Sequence, residues 1–511
     1  MNYRSSQQFR AMIIWILPFI SAVLLIFCFP RFEQGYLGWI AFLPLFNFFN
    51  YSTPRRSFWG GFICGFIFQL YLNLYVGEVL VYYLAPTLGA VLVLLMVGLL
   101  SLAFALFGCL FTMLKRRLPT FLFALATPAM WVLLEYLRSI TFLGYTVGFI
   151  GYSQWKYPFI LRLASVYGYW GLAFFMLFFQ VVLFLFWKEK KRQETLAATI
   201  VFCILFFAGL FLPSLYKVEP AQTPLHVALL QGNIPQERIL DPGEAVRTFK
   251  KYKRMSREAA KSYADLDLLV WPETVVSLKL QRKRPALEEM KSLAEEIDTP
   301  ILYGAMVETV EEEKKTYNAV YLEIPGQKSK QFYYKQRLVP FAEYFPLAGV
   351  LDRLIDLNMR LGHYTPGAAI SLFTLDELRL SAVVCFESYF GDLTRRFAAL
   401  GSRHMFTLTN DAWFNESIGL DQHAQIGAIR AAEMGTGFTQ VANTGITISF
   451  DYLGREIFRA PLMEEQTFFL ELDLTRQETI YQCLGDFLIW CSFLYLGAIS
   501  IYIFSSAENL N

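Results

Sequence analysis

Three polar residues, each following an apolar strand-like run, carry side chains that together could perform acyl transfer. They are Glu273, Lys335 and Cys385. A thiol can form a thioester once a base takes its proton, and a cation or amide can stabilise the oxyanion that develops. Sheets of the α/β type usually hold such groups where their strands end. The sequence therefore predicts a base, a cation and a nucleophile at the ends of three strands, which cover residues 267–270, 332–334 and 378–384.

Each of these residues also has an ordinary structural explanation. Glu273 could be a solvated residue at a strand end, although its neighbour Trp271 would raise the pKa of the carboxyl toward the range of a general base. Lys335 could lie along apolar surface with its charge in water, or it could pair with Glu343. Cys385 could be a buried apolar cysteine. The occurrence of all three at strand ends favours catalysis.

A cysteine paired with a histidine is the usual alternative. None of the four histidines stands in a comparable strand-end motif, so the sequence favours Glu and Lys as the partners of Cys385; the histidines are His226, His363, His404 and His423. The seven cysteines form no CxxC pair and have no histidine at metal-ligand spacing. The sequence therefore predicts neither a metal ion nor a cofactor.

The composition indicates a membrane protein. Of 511 residues, 55% are hydrophobic and only 17% are charged, which departs strongly from a soluble composition. The net charge of +2 gives no basic excess for binding nucleic acid. Charged residues return between about 218 and 481, where strands alternate with amphipathic helical stretches and the length suffices for one sizeable core.

Uncharged blocks long enough to cross a bilayer flank this soluble region. They predict an N-terminal membrane domain over residues 1–216, a catalytic domain over 217–482, and a C-terminal transmembrane helix and tail over 483–511. Residues 79–114 are interpreted as one span despite Pro86, and 139–155 as an interfacial or re-entrant segment. The eight predicted spans are residues 11–30, 35–51, 57–77, 87–113, 118–134, 163–187, 196–212 and 487–504.

The loop charges predict the orientation, because loops rich in Lys and Arg stay in the cytoplasm. Eleven such residues fall on one side and four on the other, so the N-terminus is predicted to be cytoplasmic. Seven crossings then deliver the soluble domain to the outer face. The eleven are Arg4, Arg10, Arg55, Arg56, Lys115, Arg116, Arg117, Lys188, Lys190, Lys191 and Arg192; the four are Arg31, Arg138, Lys156 and Arg162.

The motifs around the three residues resemble those of a known family. The set resembles the Glu, Lys, Cys triad of the nitrilase superfamily, and over nearly the whole chain it is similar to the membrane-anchored branch, the apolipoprotein N-acyltransferases. The matching motifs are Trp271-Pro272-Glu273, Tyr333-x-Lys335-x-x-Leu338-Val339-Pro340-Phe341-x-Glu343-Tyr344, Cys385-Phe386-Glu387, Gln231-Gly232-Asn233-Ile234-Pro235-Gln236, Asn410-Asp411-Ala412-Trp413-Phe414, Ala442-Asn443-Thr444-Gly445, Trp131-x-x-x-Glu135-x-x-Arg138 and Gly151-Tyr152-Ser153-Gln154.

The resemblance implies an α-β-β-α sandwich on a bundle of eight helices, in a bacterial inner membrane with the catalytic domain in the periplasm. It implies that an acyl chain passes from a phospholipid to Cys385 and then to the α-amino group of a diacylated apolipoprotein, with a monomer as the active form. The implied site consists of Glu273 as base, Lys335 as oxyanion partner and Cys385 as nucleophile, with Glu343 and Glu387 in support and Phe386, Asn410 and Trp413 binding substrate.

Two departures from the family pattern and two other functions remain open. Phe386 stands where the family often has Tyr, and Leu240 stands where it commonly has Trp, so substrate handling at these positions can differ. A membrane-tethered hydrolase of the nitrilase type would use the same triad with water as acceptor, but it has no need of seven preceding spans. A transporter with an outer domain would be expected to carry ionisable residues within its spans, and the predicted spans carry essentially none.

Overall fold

The computed structural model divides the chain into two compact units. One unit comprises residues 1–215, 417–422 and 484–511, and the other comprises 216–416 and 423–483. The structure describes residues 14–83, 86–140, 144–189, 191–221, 223–235, 242–282, 285–309, 314–340, 342–344 and 364–508. Lys190, Leu240, Phe341, His363 and the first residues of the predicted span 11–30 lie outside this part of the chain.

The first unit is helical. Six helices in the described residues are long and apolar enough to cross a membrane, and large apolar side chains cover much of their outer surface. Long uncharged runs suit a bilayer, and an α-helix satisfies every backbone polar group within its own segment, as a bilayer requires. The helices are α1 (Ile16–Phe27), α2 (Leu43–Asn50), α3 (Pro54–Tyr83), α4 (Pro86–Arg117), α5 (Thr120–Ile140), α6 (Pro158–Tyr167), α7 (Tyr169–Lys188), α8 (Arg192–Phe211) and the C-terminal Phe487–Glu508.

The predicted count of eight spans is approximate. Residues 35–51 form a short 3₁₀-helix over Gly35–Trp39 and then α2, whose eight residues would extend only about 12 Å. Pro44 in the first turn of α2 explains this break, because proline lacks the N–H that would continue a helix from the preceding residues. In the described part of span 11–30, α1 has 12 residues. The other six predicted spans coincide with the six long helices.

Two uncertain segments are resolved. Residues 86–117 form one helix of 32 residues, as the single-span interpretation requires, and its last turn carries the basic run at 115–117. The described part of 139–155 beyond Ile140 holds only the 3₁₀-helix Ile150–Gln154. Helix α5 extends past its predicted end, so that it includes Glu135, whose carboxylate accepts from Tyr169 Oη at 2.8 Å and Ile150 N at 3.1 Å.

The described part of the second unit contains two six-stranded sheets. One has the strand order β13-β2-β3-β4-β5-β6 and the other β12-β11-β10-β9-β8-β7. A further pair joins β1 to β14. The strands are β1 (Val218–Glu219), β2 (Leu225–Gln231), β3 (Leu268–Val270), β4 (Ile301–Glu308), β5 (Thr316–Glu323), β6 (Gln331–Tyr334), β7 (Phe373–Leu375), β8 (Leu378–Val384), β9 (His404–Thr409), β10 (Gly437–Ala442), β11 (Ile448–Phe450), β12 (Glu456–Arg459), β13 (Gln466–Leu472) and β14 (Arg476–Gln477).

The two sheets pack face to face, with β2 against β10 and β5 against β8, and helices cover their outer faces. This confirms the predicted α-β-β-α sandwich. The other helices of the described residues are α9 (Pro242–Ser262), α10 (Leu278–Gln281), α11 (Ala286–Ile297), α12 (Gly391–Ala399), α13 (Ile418–Ala424), α14 (Ile426–Met434) and α15 (Ile480–Leu484). The C-terminal helix Phe487–Glu508 is α16.

In the core beneath the first sheet, an amphipathic helix packs against apolar strands. Helix α9 buries Phe249, Tyr252 and Met255, which recur every three residues on one face as helical periodicity requires. These side chains pack around Trp271, which is fully buried and donates from Nε1 to Ser256 Oγ at 3.0 Å. Burial of a side chain as large as Trp contributes several kcal/mol, of order 3 kcal/mol or more. The strand end that carries Glu273 is therefore held firmly.

Candidate active site

Strand direction brings the predicted base and cation to the same edge of the first sheet. β3 and β4 are parallel, while β5 is antiparallel to β4 and β6 is antiparallel to β5. β3 and β6 therefore run in the same direction, and the loops that follow them emerge at one edge. Glu273 follows β3 and Lys335 follows β6. In the second sheet Cys385 follows β8, so the three strands predicted to end at these residues are confirmed.

Glu273 is buried at 8% exposure and is held by three groups. Its Oε1 accepts from Asn318 Nδ2 at 2.7 Å, and its Oε2 accepts from the backbone N–H of Asn410 at 3.0 Å. Lys335 Nζ lies 4.0 Å from Oε1. The chain can bring Glu273 against β4 because Gly304 lies beside it: a Cβ there would meet Glu273 Cα at 2.6 Å. The carboxylate is thus fixed in position and paired.

Burial raises the pKa of Glu273 to about 7, a shift that the negative charge of Glu343 reinforces and that Lys335, Asn318 and the Asn410 amide oppose. A carboxyl with a pKa close to neutrality can both take and return a proton at physiological pH. This is the property that the apolar neighbour Trp271 led us to expect. The geometry and the pKa both fit a general base.

Lys335 is almost completely buried and is paired with two carboxylates. Its Nζ donates to Glu343 Oε1 at 2.7 Å, and the other oxygen of Glu343 accepts from the N–H of Val339 at 2.8 Å. Burial lowers the pKa of Lys335, but Glu343 and Glu273 outweigh that effect and the net pKa is raised. The lysine therefore stays cationic. The predicted Lys335–Glu343 pair is present, and Lys335 does not extend into solvent.

Cys385 is the first residue of a 3₁₀-helix, Cys385–Tyr389, and has a positive φ of 49°. For a residue with a Cβ this left-handed conformation costs roughly 1–2 kcal/mol, so the surroundings must hold it. Glu387 does so in part. Its Oε2 accepts from the N–H of Val384 at 2.8 Å, and its Oε1 accepts from Tyr333 Oη at 2.8 Å and from the N–H of Gln336 at 2.6 Å. Glu387 thereby joins Cys385–Tyr389, which we call the cysteine turn, to the segment after Lys335.

The charges of Glu273 and Lys335 both act on the Cys385 thiol. Burial raises its pKa well above the usual value, Glu273 and Asp411 raise it further, and Lys335 and a hydrogen bond with Thr409 lower it. The side chain of Cys385 is therefore a thiol rather than a thiolate at neutral pH. A base must take its proton as it attacks, because only the thiolate is strongly nucleophilic. Glu273 is the buried carboxylate whose pKa suits that step.

The predicted substrate-binding residues lie around the same strand ends. Phe386 follows the cysteine, partly exposed, with its ring 5.1 Å from that of Phe390. Asn410 donates its backbone N–H to Glu273, and its side-chain Oδ1 accepts from Asn443 Nδ2 at 3.1 Å. Trp413, in the 3₁₀-helix Asp411–Phe414, is 37% exposed. Contact of these three residues with substrate stays a prediction.

Two features of the site were missed from the sequence. Asn318, in the middle of β5, contacts both carboxylates, donating from Nδ2 to Glu273 and lying 3.5 Å from Glu343 Oε1. A polar residue in an otherwise apolar, buried strand was the available signal. The second feature is His423, which follows no strand and therefore lies outside the predicted strand-end pattern. The fold places it beside the main chain of Cys385.

One group of side chains has the composition of a metal site. Within the described residues, Cys385, Asp411 and His423 each place a potential ligand atom within 4.8 Å of the others. These are donors that zinc accepts. Both ring nitrogens of His423 already have partners at hydrogen-bond distance, Asp411 at Nδ1 and the Cys385 carbonyl at Nε2. The contacts that bring the three residues together are therefore hydrogen bonds within the site.

Comparison with known proteins identifies the class of the two-sheet unit. A family profile described as carbon-nitrogen hydrolase matches residues 226–482, and one described as apolipoprotein N-acyltransferase N-terminal domain matches residues 21–182. The crystal structure of Nit3 from Saccharomyces cerevisiae, a member of the nitrilase superfamily, covers 51% of this chain and 93% of its own at 17% identity and a TM-score of 0.38. The profile match over residues 226–482, half of the chain, identifies the second unit as a carbon-nitrogen hydrolase domain.

Relatives extend this class to the whole chain. The apolipoprotein N-acyltransferase of Geobacter metallireducens is 31% identical over 490 residues, covering 93% of this chain and 92% of its own. That of Haemophilus influenzae is 28% identical over 503 residues, covering 94% and 93%. The chain belongs to the apolipoprotein N-acyltransferase family.

Proposed function

We propose that the chain transfers an acyl chain from a membrane phospholipid, through a thioester on Cys385, to the N-terminal α-amino group of the diacylglyceryl cysteine of an apolipoprotein. One observation carries the catalytic part of this proposal. Cys385 lies in a strained turn, and its thiol is protonated. The charges of two buried groups act on that thiol: the carboxyl of Glu273, whose pKa is about 7, and the ammonium group of Lys335. The long apolar helices and the family membership support lipid substrates.

In the first half-reaction the Cys385 sulfur attacks the ester carbonyl of the phospholipid while Glu273 takes the thiol proton. Lys335 faces the negative charge that develops on the carbonyl oxygen. The ester C–O bond breaks, the lysophospholipid oxygen receives the proton from Glu273, and the acyl group remains on sulfur as a thioester. A preorganised cation in a water-poor site stabilises such an oxyanion far more than it would in water.

In the second half-reaction the α-amino nitrogen of the apolipoprotein attacks the thioester carbonyl. Glu273 takes the proton that the nitrogen loses, the C–S bond breaks, and the proton returns to the cysteine sulfur. The products are an amide and the free enzyme, so the two halves balance without any cofactor. Glu343 orients Lys335, and Glu387 holds the cysteine turn.

The products of turnover separate this function from hydrolysis. Purified protein is incubated in phospholipid vesicles with a diacylated peptide that has a free N-terminal cysteine amine, and lysophospholipid, triacylated peptide and free fatty acid are measured together. We expect one triacylated peptide for each lysophospholipid, and none when the peptide amine is acetylated. Release of free fatty acid at the same rate with either peptide would assign a hydrolase instead.

The proposal includes a topology. Residues 1–216 form the membrane domain, 217–482 the catalytic domain and 483–511 the C-terminal helix and tail, in a bacterial inner membrane with the catalytic domain on the periplasmic side and a monomer as the unit of activity. The distribution of Lys and Arg over the loops supports this orientation.

Labelling of intact cells tests the topology. Single cysteines are introduced at 188 and at 400 after the native cysteines are replaced, and an impermeant maleimide is added; Leu400 is 50% exposed, so the label can reach it. We expect labelling at 400 only, and labelling at 188 only after the membrane is opened. Labelling at 188 but not 400 in intact cells would reverse the orientation.

A further inference from the structure

A buried acid–histidine pair lies beside the cysteine turn and has no role in the reaction described above. His423 Nδ1 is 2.9 Å from Asp411 Oδ1 and 3.2 Å from Oδ2. The side chains of His423 and Asp411 are 2% and 0% exposed. A carboxylate that accepts from one ring nitrogen of a histidine fixes the ring orientation and hence the direction of the other nitrogen. Asp411 therefore determines where Nε2 of His423 points.

Nε2 of His423 points at the cysteine turn. It lies 3.2 Å from the carbonyl oxygen of Cys385 and 3.2 Å from Ser388 Oγ. The imidazole ring also stacks on Tyr389, with 5.6 Å between centroids and 8° between planes. One side chain thus contacts three residues of the five-residue turn. A change in its position would move the main chain that carries the nucleophile.

Asp411 also lies close to the thiol itself. One of its carboxylate oxygens is within 4.8 Å of Cys385 Sγ, and Thr409 Oγ1 donates to Asp411 Oδ1 at 2.8 Å. Asp411 is therefore connected to the carbonyl of Cys385 through His423, and it lies beside the sulfur as well.

The backbone of Cys385 needs such support. Its φ of 49° is a conformation that persists in residues other than glycine only where the surrounding structure holds it. Glu387 holds the segments on either side of the turn, but its two carboxylate oxygens accept from Val384, Gln336, Arg337 and Tyr333, none of which is Cys385. The carbonyl of Cys385 is contacted by His423.

We propose that Asp411 and His423 are positioning residues for the nucleophile: Asp411 orients the imidazole, and the imidazole holds the Cys385 carbonyl. In this role both residues act through Cys385 and not on the acyl group. This proposal rests on the proposed function in one respect, namely that Cys385 is the nucleophile. Burial of the imidazole lowers the pKa of His423, but the charge of Asp411 and its hydrogen bond outweigh that effect and the net pKa is raised. A raised pKa is consistent with an imidazole that donates from both nitrogens.

Two substitutions at 423 separate positioning from packing. His423→Leu removes both donors, whereas His423→Gln retains an N–H near the place of Nε2. The rate of lysophospholipid release is measured against phospholipid concentration in the full-length protein, because an acyltransferase and a hydrolase both release this product. We expect His423→Leu to lower kcat about 10²-fold at an unchanged apparent KM, since small misplacements of reacting groups have effects of that size. His423→Gln should recover kcat to within about tenfold of wild type.

His404→Leu is the matched control, because His404 is also a buried histidine of this unit and its Nε2 bonds Thr439, away from the cysteine turn. We expect His404→Leu to lower the melting temperature but to leave kcat close to that of the wild type. Equal losses of kcat in His404→Leu and His423→Leu, or equal kcat in the Leu and Gln variants at 423, would overturn the proposal.

Asp411→Asn supplies a second test if His423→Leu does not fold. Residues that act as one unit give losses that do not multiply. The kcat of the double variant Asp411→Asn/His423→Gln should therefore be close to that of the more impaired single variant. Losses that multiply would show that Asp411 and His423 act separately, which contradicts the pair. A wild type that releases lysophospholipid but acylates no peptide would reject the proposed acceptor and leave this result intact.

Discussion

Replacing Glu273 by Gln is expected to lower the rate of thioester formation by about 10²–10⁴, because the change removes the group that takes the thiol proton while it leaves the side-chain shape almost unchanged. The Cys385 thiol has a raised pKa and cannot supply much thiolate without a base. The rate is measured by rapid quench after mixing with phospholipid, with the adduct quantified by intact-protein mass.

Glu323→Gln provides the control for this substitution. Glu323 is also a buried glutamate of the first sheet, accepting from Tyr303 Oη at 3.1 Å, but it is not among the site residues. Its replacement should change the rate of thioester formation little. A Glu273→Gln variant that forms the thioester at the wild-type rate would remove Glu273 from the mechanism.

The same assignment determines the pH dependence. A general base acts as a carboxylate, so the rate in the wild type should be low below the pKa of Glu273 and rise as pH increases through about 7. In Glu273→Gln this rise should disappear. The measurement is the rate of thioester formation from pH 5 to pH 9 at constant ionic strength, and the same rise in both proteins would assign it to another group.

Replacing Lys335 by Met is expected to have a second large effect, on both catalysis and stability. Loss of one preorganised oxyanion contact lowers the rate by about 10²–10³. The change also leaves the buried carboxylates of Glu273 and Glu343 without their cation, and breaking a buried ion pair on one side usually lowers the free energy of unfolding by about 3–5 kcal/mol. Turnover and chemical or thermal unfolding are measured in parallel.

The double variant Lys335→Met/Glu343→Gln separates these two effects. Removing the charge of Glu343 relieves the unpaired carboxylate, so stability should return toward wild type while activity stays low. Lys330→Met, at an exposed lysine that pairs with Glu288 on the surface, should leave both quantities close to wild type. Recovery of activity in the double variant would mean that Lys335 only balances Glu343 and does not act on the oxyanion.

Much of the fold and the central side chains followed from local patterns. The runs before Glu273, Lys335 and Cys385 form strands because they are rich in β-branched, aromatic and other apolar residues. Each strand ends where polar residues begin, and that boundary is visible in the sequence. The long uncharged blocks likewise predict helices that cross a membrane. The predicted span at 35–51 is not one continuous helix. A hydropathy pattern contains no information about Pro44, which begins a new helix.

The remaining parts of the site depend on contacts between distant segments. Asn318 reaches Glu273 only because β5 pairs with β4 in a particular register, and nothing near Asn318 in the sequence indicates that register. His423 lies in a helix, so a search for polar residues after strands cannot find it. His423 and Cys385 are 38 positions apart in the chain, and the sequence pattern alone does not specify that they meet.

The central claim is that Cys385 carries the acyl group, and the mass of the intact protein tests it most directly. Wild-type protein incubated with a phospholipid of defined acyl chains, without peptide, should gain the mass of one acyl group. Digestion should place that mass on the Cys385 peptide, and neutral hydroxylamine should remove it, as expected for a thioester. A diacylated peptide with a free amine should discharge the adduct. Cys385→Ala should fold and gain no mass. An unmodified wild-type protein that still acylates the peptide, or a Cys385→Ala protein that keeps its activity, would contradict the account.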